Sequence, residues 1–180
     1  MKTNNTTDKT ITLALTGVLT ALVAVCVMVL PIPIPMTTGY VNLGDGMIFL
    51  AVLLVGWKYG AFAGGVGAGL ADILLGSAAW APWTLVIKAV MAVIVGLSLK
   101  LDHGHGERNT VPMVGIGGMV LATVFMAAGY YVAEGVMYGN WEAPLVGIPW
   151  NLIQGGVGTL VTCILTAALK KTSAKKYFAY

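Results

Sequence analysis

The stretch Asp45–Gly76, DGMIFLAVLLVGWKYGAFAGGVGAGLADILLG, decides the architecture. Read through, it is one long apolar run. Read with a break at GWKYG, it is two segments, Asp45–Trp57 (extendable upstream to Val41) and Tyr59–Ser77. GWKYG is all that separates them, so the alternative is five crossings with one re-entrant hairpin. The same stretch raises a second question, because Asp72 sits in its apolar end and Lys88 follows in another apolar run.

The composition selects the solvent. Of 180 residues, 58% are hydrophobic and 9% charged, with a mean hydropathy of +0.86. Soluble domains carry about 25% charged residues. A core of this size could not hide so much apolar surface from water, so lipid is the expected solvent. No charge block, nucleic-acid motif or long hydrophilic stretch occurs, so residues 1–180 read as one transmembrane domain, with 1–10 and 171–180 as tails. Cys26 and Cys163 lie in apolar runs and read as small buried residues, not as a disulfide or metal ligands. The first apolar run is too long for a signal peptide and leads into PIPIPMTTGY with no small-residue cleavage site, so it reads as a retained helix.

A crossing needs about 20 mostly apolar residues. Beside the two segments above, candidates are Ile11–Leu30, Pro82–Leu99, Val111–Val132 and Leu145–Leu169. PIPIP ends the first, because proline removes donors and restricts its neighbour. Lys and Arg favour cytoplasmic loops. With six crossings and both termini cytoplasmic, the inside segments hold Lys2, Lys9, Lys58, Lys100, Arg108, Lys170, Lys171, Lys175 and Lys176. The outside segments Pro31–Gly44, Ser77–Trp83 and Ala133–Pro149 hold no Lys or Arg. The expected fold is therefore an all-α integral membrane bundle of six helices, and Lys88 is its one exception.

The acids Asp45, Asp72, Glu134 and Glu142 map to the outer half, with Tyr40, Trp80, Trp83, Tyr130, Tyr131, Tyr138, Trp141 and Trp150. An interfacial belt accounts for some of these rings, but not for the inner face being so poor in them. Glycine-rich runs at Gly64–Gly69, Gly115–Gly118 and Gly155–Gly158 read as close helix contacts, since no Gly-Lys-Ser/Thr follows them. Ala14, Gly17, Ala21 and Ala24 share a face of the first helix. That stripe suits either internal packing or docking of another membrane subunit.

An ionisable residue near the bilayer centre costs about 2.5–3.5 kcal/mol and faces the bundle or a wet cavity. Asp72 in the third helix and Lys88 two turns into the fourth are expected to meet, either as a purely structural lock or as the floor of an outward cavity. Asn42, Asp45, Asn151 and Gln154 map to the same depth, Asn151 and Gln154 on one helix face. HGHGE (His103–Glu107) reads as a solvated cytoplasmic loop, and no metal site is expected. No nucleophile–base pair stands out, so an enzyme is not expected.

The segments GYVNLGDGMIFLAVLLVGWKYGAFAGGVGAGLADILLG (Gly39–Gly76) and WAPWTLVIKAVMAVIVG (Trp80–Gly96) resemble the substrate-binding S components of energy-coupling factor (ECF) vitamin transporters. Asn-Leu-Gly-Asp, the Ala-Asp closing the Gly-rich helix, and Trp-Ala-Pro…Lys resemble the hydroxymethylpyrimidine/pyridoxine-type subgroup. The resemblance implies a vitamin pocket near the outer face, with PIPIPMTTGY as its lid. It implies association with a transmembrane coupling subunit and two cytoplasmic ATPases, and toppling in the membrane to release substrate inward. This chain holds no nucleotide-binding sequence and needs no cofactor of its own; ATP is used by the partners. The family's Ala-x-x-x-Ala docking motif corresponds to Gly17 and Ala21.

Charge narrows the ligand. Four acids, one Lys and no Arg in the outer half disfavour a polyanion. A small neutral or weakly basic heterocycle with hydroxyls fits: Tyr40, Trp80, Trp83 and Tyr131 would stack on it, and Asn42, Asp45, Asp72, Lys88, Asn151 and Gln154 would bond its polar groups. Pyridoxine or hydroxymethylpyrimidine suits that description. Pantothenate, with Lys88 on its carboxylate, is the alternative vitamin. A self-sufficient secondary transporter is the alternative class, opposed by the short length and the lack of a clear inverted repeat.

Overall fold

The computed structural model describes residues 5–37, 39–102 and 110–180. The chain runs α1 (Asn5–Val29), a two-stranded hairpin β1 (Ile32–Pro33) and β2 (Tyr40–Val41), α2 (Gly44–Leu74), α3 (Ala81–Lys100), α4 (Met113–Tyr138) and α5 (Gly147–Leu169). Single 3₁₀ turns at Ala143–Val146 and Ser173–Tyr177 flank α5. Among the described residues, five helices are long and apolar enough to cross a membrane. Their outward faces carry large apolar side chains such as Leu13, Val18, Phe62, Leu121 and Leu160, as a lipid-facing surface requires. His103–Glu107, Lys2 and Arg108 lie outside the described residues.

The element Gly44–Leu74 is two helical arms joined across a kink, where Gly56 has φ 80° and ψ 168°. That backbone conformation is essentially restricted to glycine. The chain doubles back there. A Cβ built on Gly60 would stand 2.7 Å from Val52, and one on Gly64 would stand 2.9 Å from Ile48. In a straight helix, at 1.5 Å per residue, such partners would lie far apart. The two pairs are placed symmetrically about Gly56, so the arms before and after it pack antiparallel. Gly56→Ala is expected to lower stability by about 1–3 kcal/mol, read as a fall in the thermal midpoint in detergent. An unchanged midpoint would mean that the reversal does not depend on this backbone conformation.

The reversal breaks the helical hydrogen-bond ladder, and the end of the chain supplies a donor. Ala179 N–H donates to the Leu53 carbonyl at 2.9 Å, while Phe178 and Tyr180 pack on the main apolar core. The residues expected as a solvated tail at 171–180 therefore partly fold back onto the bundle. At the other end of the chain, α1 is already helical at Asn5, inside the stretch expected as a tail.

The first arm of α2 lies at the centre of the bundle. Its Gly46 faces Gly158 and Val161 of α5, and the Thr162 hydroxyl donates to the Gly46 carbonyl at 3.0 Å. The second arm faces α3 through Gly65 and Gly69, and α1 through Gly67. Val23, Val27, Ile48, Phe49, Val52, Met91, Val95, Met119 and Met126 fill the core between α1, α2, α3 and α4. Gly139, in the left-handed conformation, ends α4, its N–H closing on the Gly135 carbonyl; this is a common glycine helix stop. Strands β1 and β2, at the two ends of the PIPIPMTTGY segment, pair as the β hairpin with Ile32 opposite Val41 and Pro33 opposite Tyr40, and the hairpin covers the end of the bundle remote from Gly56.

Candidate binding site

A cavity opens beneath the hairpin and holds about 560 Å³ of empty space, its mouth included. The hairpin contributes Ile34, Gly39, Tyr40 and Asn42, and α2 contributes Ala68 and Asp72. Trp80, Thr84 and Lys88, one helical turn apart in succession, line the α3 side. Tyr130, Tyr131 and Glu134 line the α4 side, and Pro144, Gly147 and Asn151 close the α5 side. Trp80 packs against Tyr130 at 6.0 Å between ring centroids, and Tyr131 against Trp141 at 5.7 Å.

The charges in this site pair differently from the sequence expectation. Lys88 Nζ donates to Asp45 Oδ1 at 2.5 Å, with both side chains 1% exposed. Its expected partner, Asp72, makes no salt bridge with it. The physical reason is the central position of the first α2 arm, which sets Asp45, at the same depth as Asp72, against Lys88. Asp45 also lies in the first turn of its helix, where the helix dipole favours a carboxylate. Lys88 Nζ further contacts Met126 Sδ at 2.9 Å and lies 5.4 Å from the Tyr130 ring centroid.

Gln154 extends this network to the hairpin. Its Nε2 donates to Asp45 Oδ2 at 2.7 Å, and its Oε1 accepts from the Asn42 backbone N–H at 2.7 Å. Asn42 Oδ1 accepts from Gly44 N–H at 2.9 Å. Both Asp45 oxygens are therefore engaged. Asp72, 3% exposed, accepts a hydrogen bond from the Tyr40 hydroxyl through Oδ1, whereas Oδ2 meets no donor of the protein. Burial, and then the hydrogen bond and charge of Asp72, raise the Tyr40 phenol above its ordinary value, so it stays a donor. Tyr130 donates to the Thr84 hydroxyl at 3.3 Å.

Of the residues expected at the site, Tyr40, Asn42, Asp72, Trp80, Lys88, Tyr131 and Asn151 line the cavity. Asp45 and Gln154 stand directly behind it and hold its lining. Trp83 does not line it; the ring is half-buried against the apolar core. Thr84, Tyr130 and Glu134 belong to the lining and were not among the expected contacts. Helical spacing was the available signal, since Trp80, Thr84 and Lys88, and likewise Tyr130 and Glu134, follow at intervals of one turn. On α1, Ala14, Gly17 and Ala21 are exposed, and a Cβ on Gly17 would meet nothing within 4 Å. Ala24, expected on the same docking stripe, is instead 6% exposed and packed in the core.

Apolar outward faces, a buried polar network and a hairpin-covered cavity define a multi-pass membrane protein with a candidate small-molecule site at one end. Residues 7–171 match the family model described as "ECF-type riboflavin transporter, S component", and the chain belongs to that family. Such a component works with an ECF module, and its family is one of transporters. A Pyrococcus woesei relative described as "Uncharacterized protein in gap 3'region" is 43% identical over 146 residues, covering 77% of this chain and 93% of the relative. A second, from Lactococcus lactis subsp. cremoris (strain MG1363) and described as "Thiamine precursor transporter HmpT", is 28% identical over 161 residues, covering 89% of this chain and 88% of its own length.

Proposed function

We propose that the chain is the high-affinity binding subunit of an ATP-driven importer for a small, neutral or weakly basic heterocycle with hydroxyls, hydroxymethylpyrimidine or pyridoxine. The observation that carries this reading is the pairing of Lys88. It is the one cation among the described lining residues, and Asp45 neutralises it. A carboxylate or phosphate ligand would have to compete with that buried carboxylate, which argues against pantothenate. Flat aromatic walls and several hydrogen-bonding groups remain for a neutral ring. The description of the Lactococcus lactis relative supports a thiamine precursor.

Riboflavin is the second reading, favoured by the family model. It is also an uncharged heterocycle with hydroxyls, so the charge argument from Lys88 and Asp45 does not exclude it.

The working topology is six crossings with both ends in the cytoplasm, supported by the distribution of Lys and Arg and by the antiparallel arms of α2. The partners would be a transmembrane coupling subunit and two cytoplasmic ATPases, which use the ATP. Ala14, Gly17 and Ala21, exposed and small, would let a partner helix approach α1 closely.

Mass spectrometry of the protein purified alone, without added vitamin, tests the reading. Co-purified hydroxymethylpyrimidine or pyridoxine is the expected result. Riboflavin would select the second reading, and pantothenate would refute the charge argument. If nothing co-purifies and no vitamin quenches tryptophan fluorescence, the receptor reading fails.

A further inference from the structure

Resting on the proposed vitamin-receptor role, one atom narrows the substrate further. Asp72 Oδ2 is buried, belongs to a cavity-lining side chain, and meets no hydrogen-bond donor of the protein. The Tyr40 hydroxyl occupies Oδ1. The Thr84 hydroxyl stands beside the carboxylate without reaching Oδ2 in hydrogen-bonding geometry. A buried carboxylate oxygen left without a donor is costly, and a donor from the ligand removes that cost.

The surrounding groups say what kind of donor fits. Trp80, Tyr130 and Tyr131 line the same cavity, so a flat ring can stack there and present its edge, not its face, to Asp72. We propose that Asp72 Oδ2 accepts a hydrogen bond from a ring-edge N–H of the substrate. The substrate class is then a nitrogen heterocycle carrying an amino, imide or protonated ring N–H on one edge. A ring presenting a carbonyl oxygen or bare ring nitrogen at that edge is rejected, because two acceptors would face each other. Lys88, held by Asp45, is left to orient an acceptor elsewhere on the ligand.

The test uses two ligand pairs, each differing at one N–H: hydroxymethylpyrimidine against its des-amino analogue, and riboflavin against riboflavin methylated at the imide nitrogen. Titration calorimetry on the purified full chain is expected to show a loss of at least about tenfold in affinity when the N–H of the bound vitamin is removed. In Asp72→Asn, which keeps an acceptor for Tyr40, the difference within that pair is expected to shrink to about twofold. Equal binding of both members by the parent protein overturns the proposal, and that comparison stands even if the variant does not fold. A difference that persists undiminished in Asp72→Asn also overturns it. If the parent binds none of the four compounds and no pyridoxine, the vitamin-receptor reading itself falls, and the proposal with it; if it binds pyridoxine alone, equal affinity for the benzene-ring analogue that lacks the ring N–H overturns the proposal.

Discussion

Lys88→Met should destabilise the protein by about 3–5 kcal/mol, the cost of leaving a buried charge without its partner. Asp45 is 0% exposed, and Lys88 is its counter-charge at 2.5 Å. Gln154 would still donate one hydrogen bond to Asp45 Oδ2, which cannot neutralise a carboxylate in an apolar bundle. The double variant Lys88→Met with Asp45→Asn is expected to recover most of the loss, because it removes the uncompensated charge. Combining Lys88→Met with Asp72→Asn should recover little. Thermal unfolding in detergent separates these cases. A Lys88→Met protein that melts with the parent would mean that the ion pair is dispensable, and rescue by Asp72→Asn instead of Asp45→Asn would mean that the partners are assigned wrongly.

The second large effect concerns the distance between helices. A Cβ on Gly67 would lie 2.6 Å from the Thr20 carbonyl oxygen and 2.9 Å from Val23 Cβ. Neither is the tip of a flexible side chain, so α1 would have to move away from α2. Gly67→Ala is expected to cost about 1–3 kcal/mol through overpacking. Gly17→Ala is the matched control, on the exposed side of α1 with nothing within 4 Å. Alanine is the better helix former by up to about 1 kcal/mol, so Gly17→Ala should melt at or above the parent. Equal midpoints for the two variants would contradict the packing of α1 on α2.

Much of this architecture is legible in the sequence, for identifiable reasons. Helix positions follow from apolar length and proline, and α3 at Ala81–Lys100 differs by one residue at each end from the expected Pro82–Leu99. The chain reversal follows from GWKYG, where a single glycine carries it. The partner of Lys88 was not legible. Asp45 and Asp72 are chemically alike and both belong at the outer end; only the three-dimensional course of the two α2 arms selects between them. Trp83 misled because an aromatic residue beside a site residue need not share its helix face. Ala24 misled because a stripe with mixed three- and four-residue spacing drifts around the helix until its end meets the core. The docking of Phe178–Tyr180 beneath Gly56 depends on an acceptor, the Leu53 carbonyl, that exists only once the helix has broken.

The hairpin over the cavity is fastened by the same residues that form the cavity. Tyr40 belongs to strand β2 and bonds Asp72, and Asn42 at the base of the hairpin bonds Gln154. Any opening of the hairpin therefore requires these fastenings to part. For a ligand bound as proposed, dwell time would be a property of the hairpin as much as of the pocket. A variant that loosens the hairpin would speed both capture and escape, so equilibrium affinity alone would understate how firmly such a pocket retains its ligand.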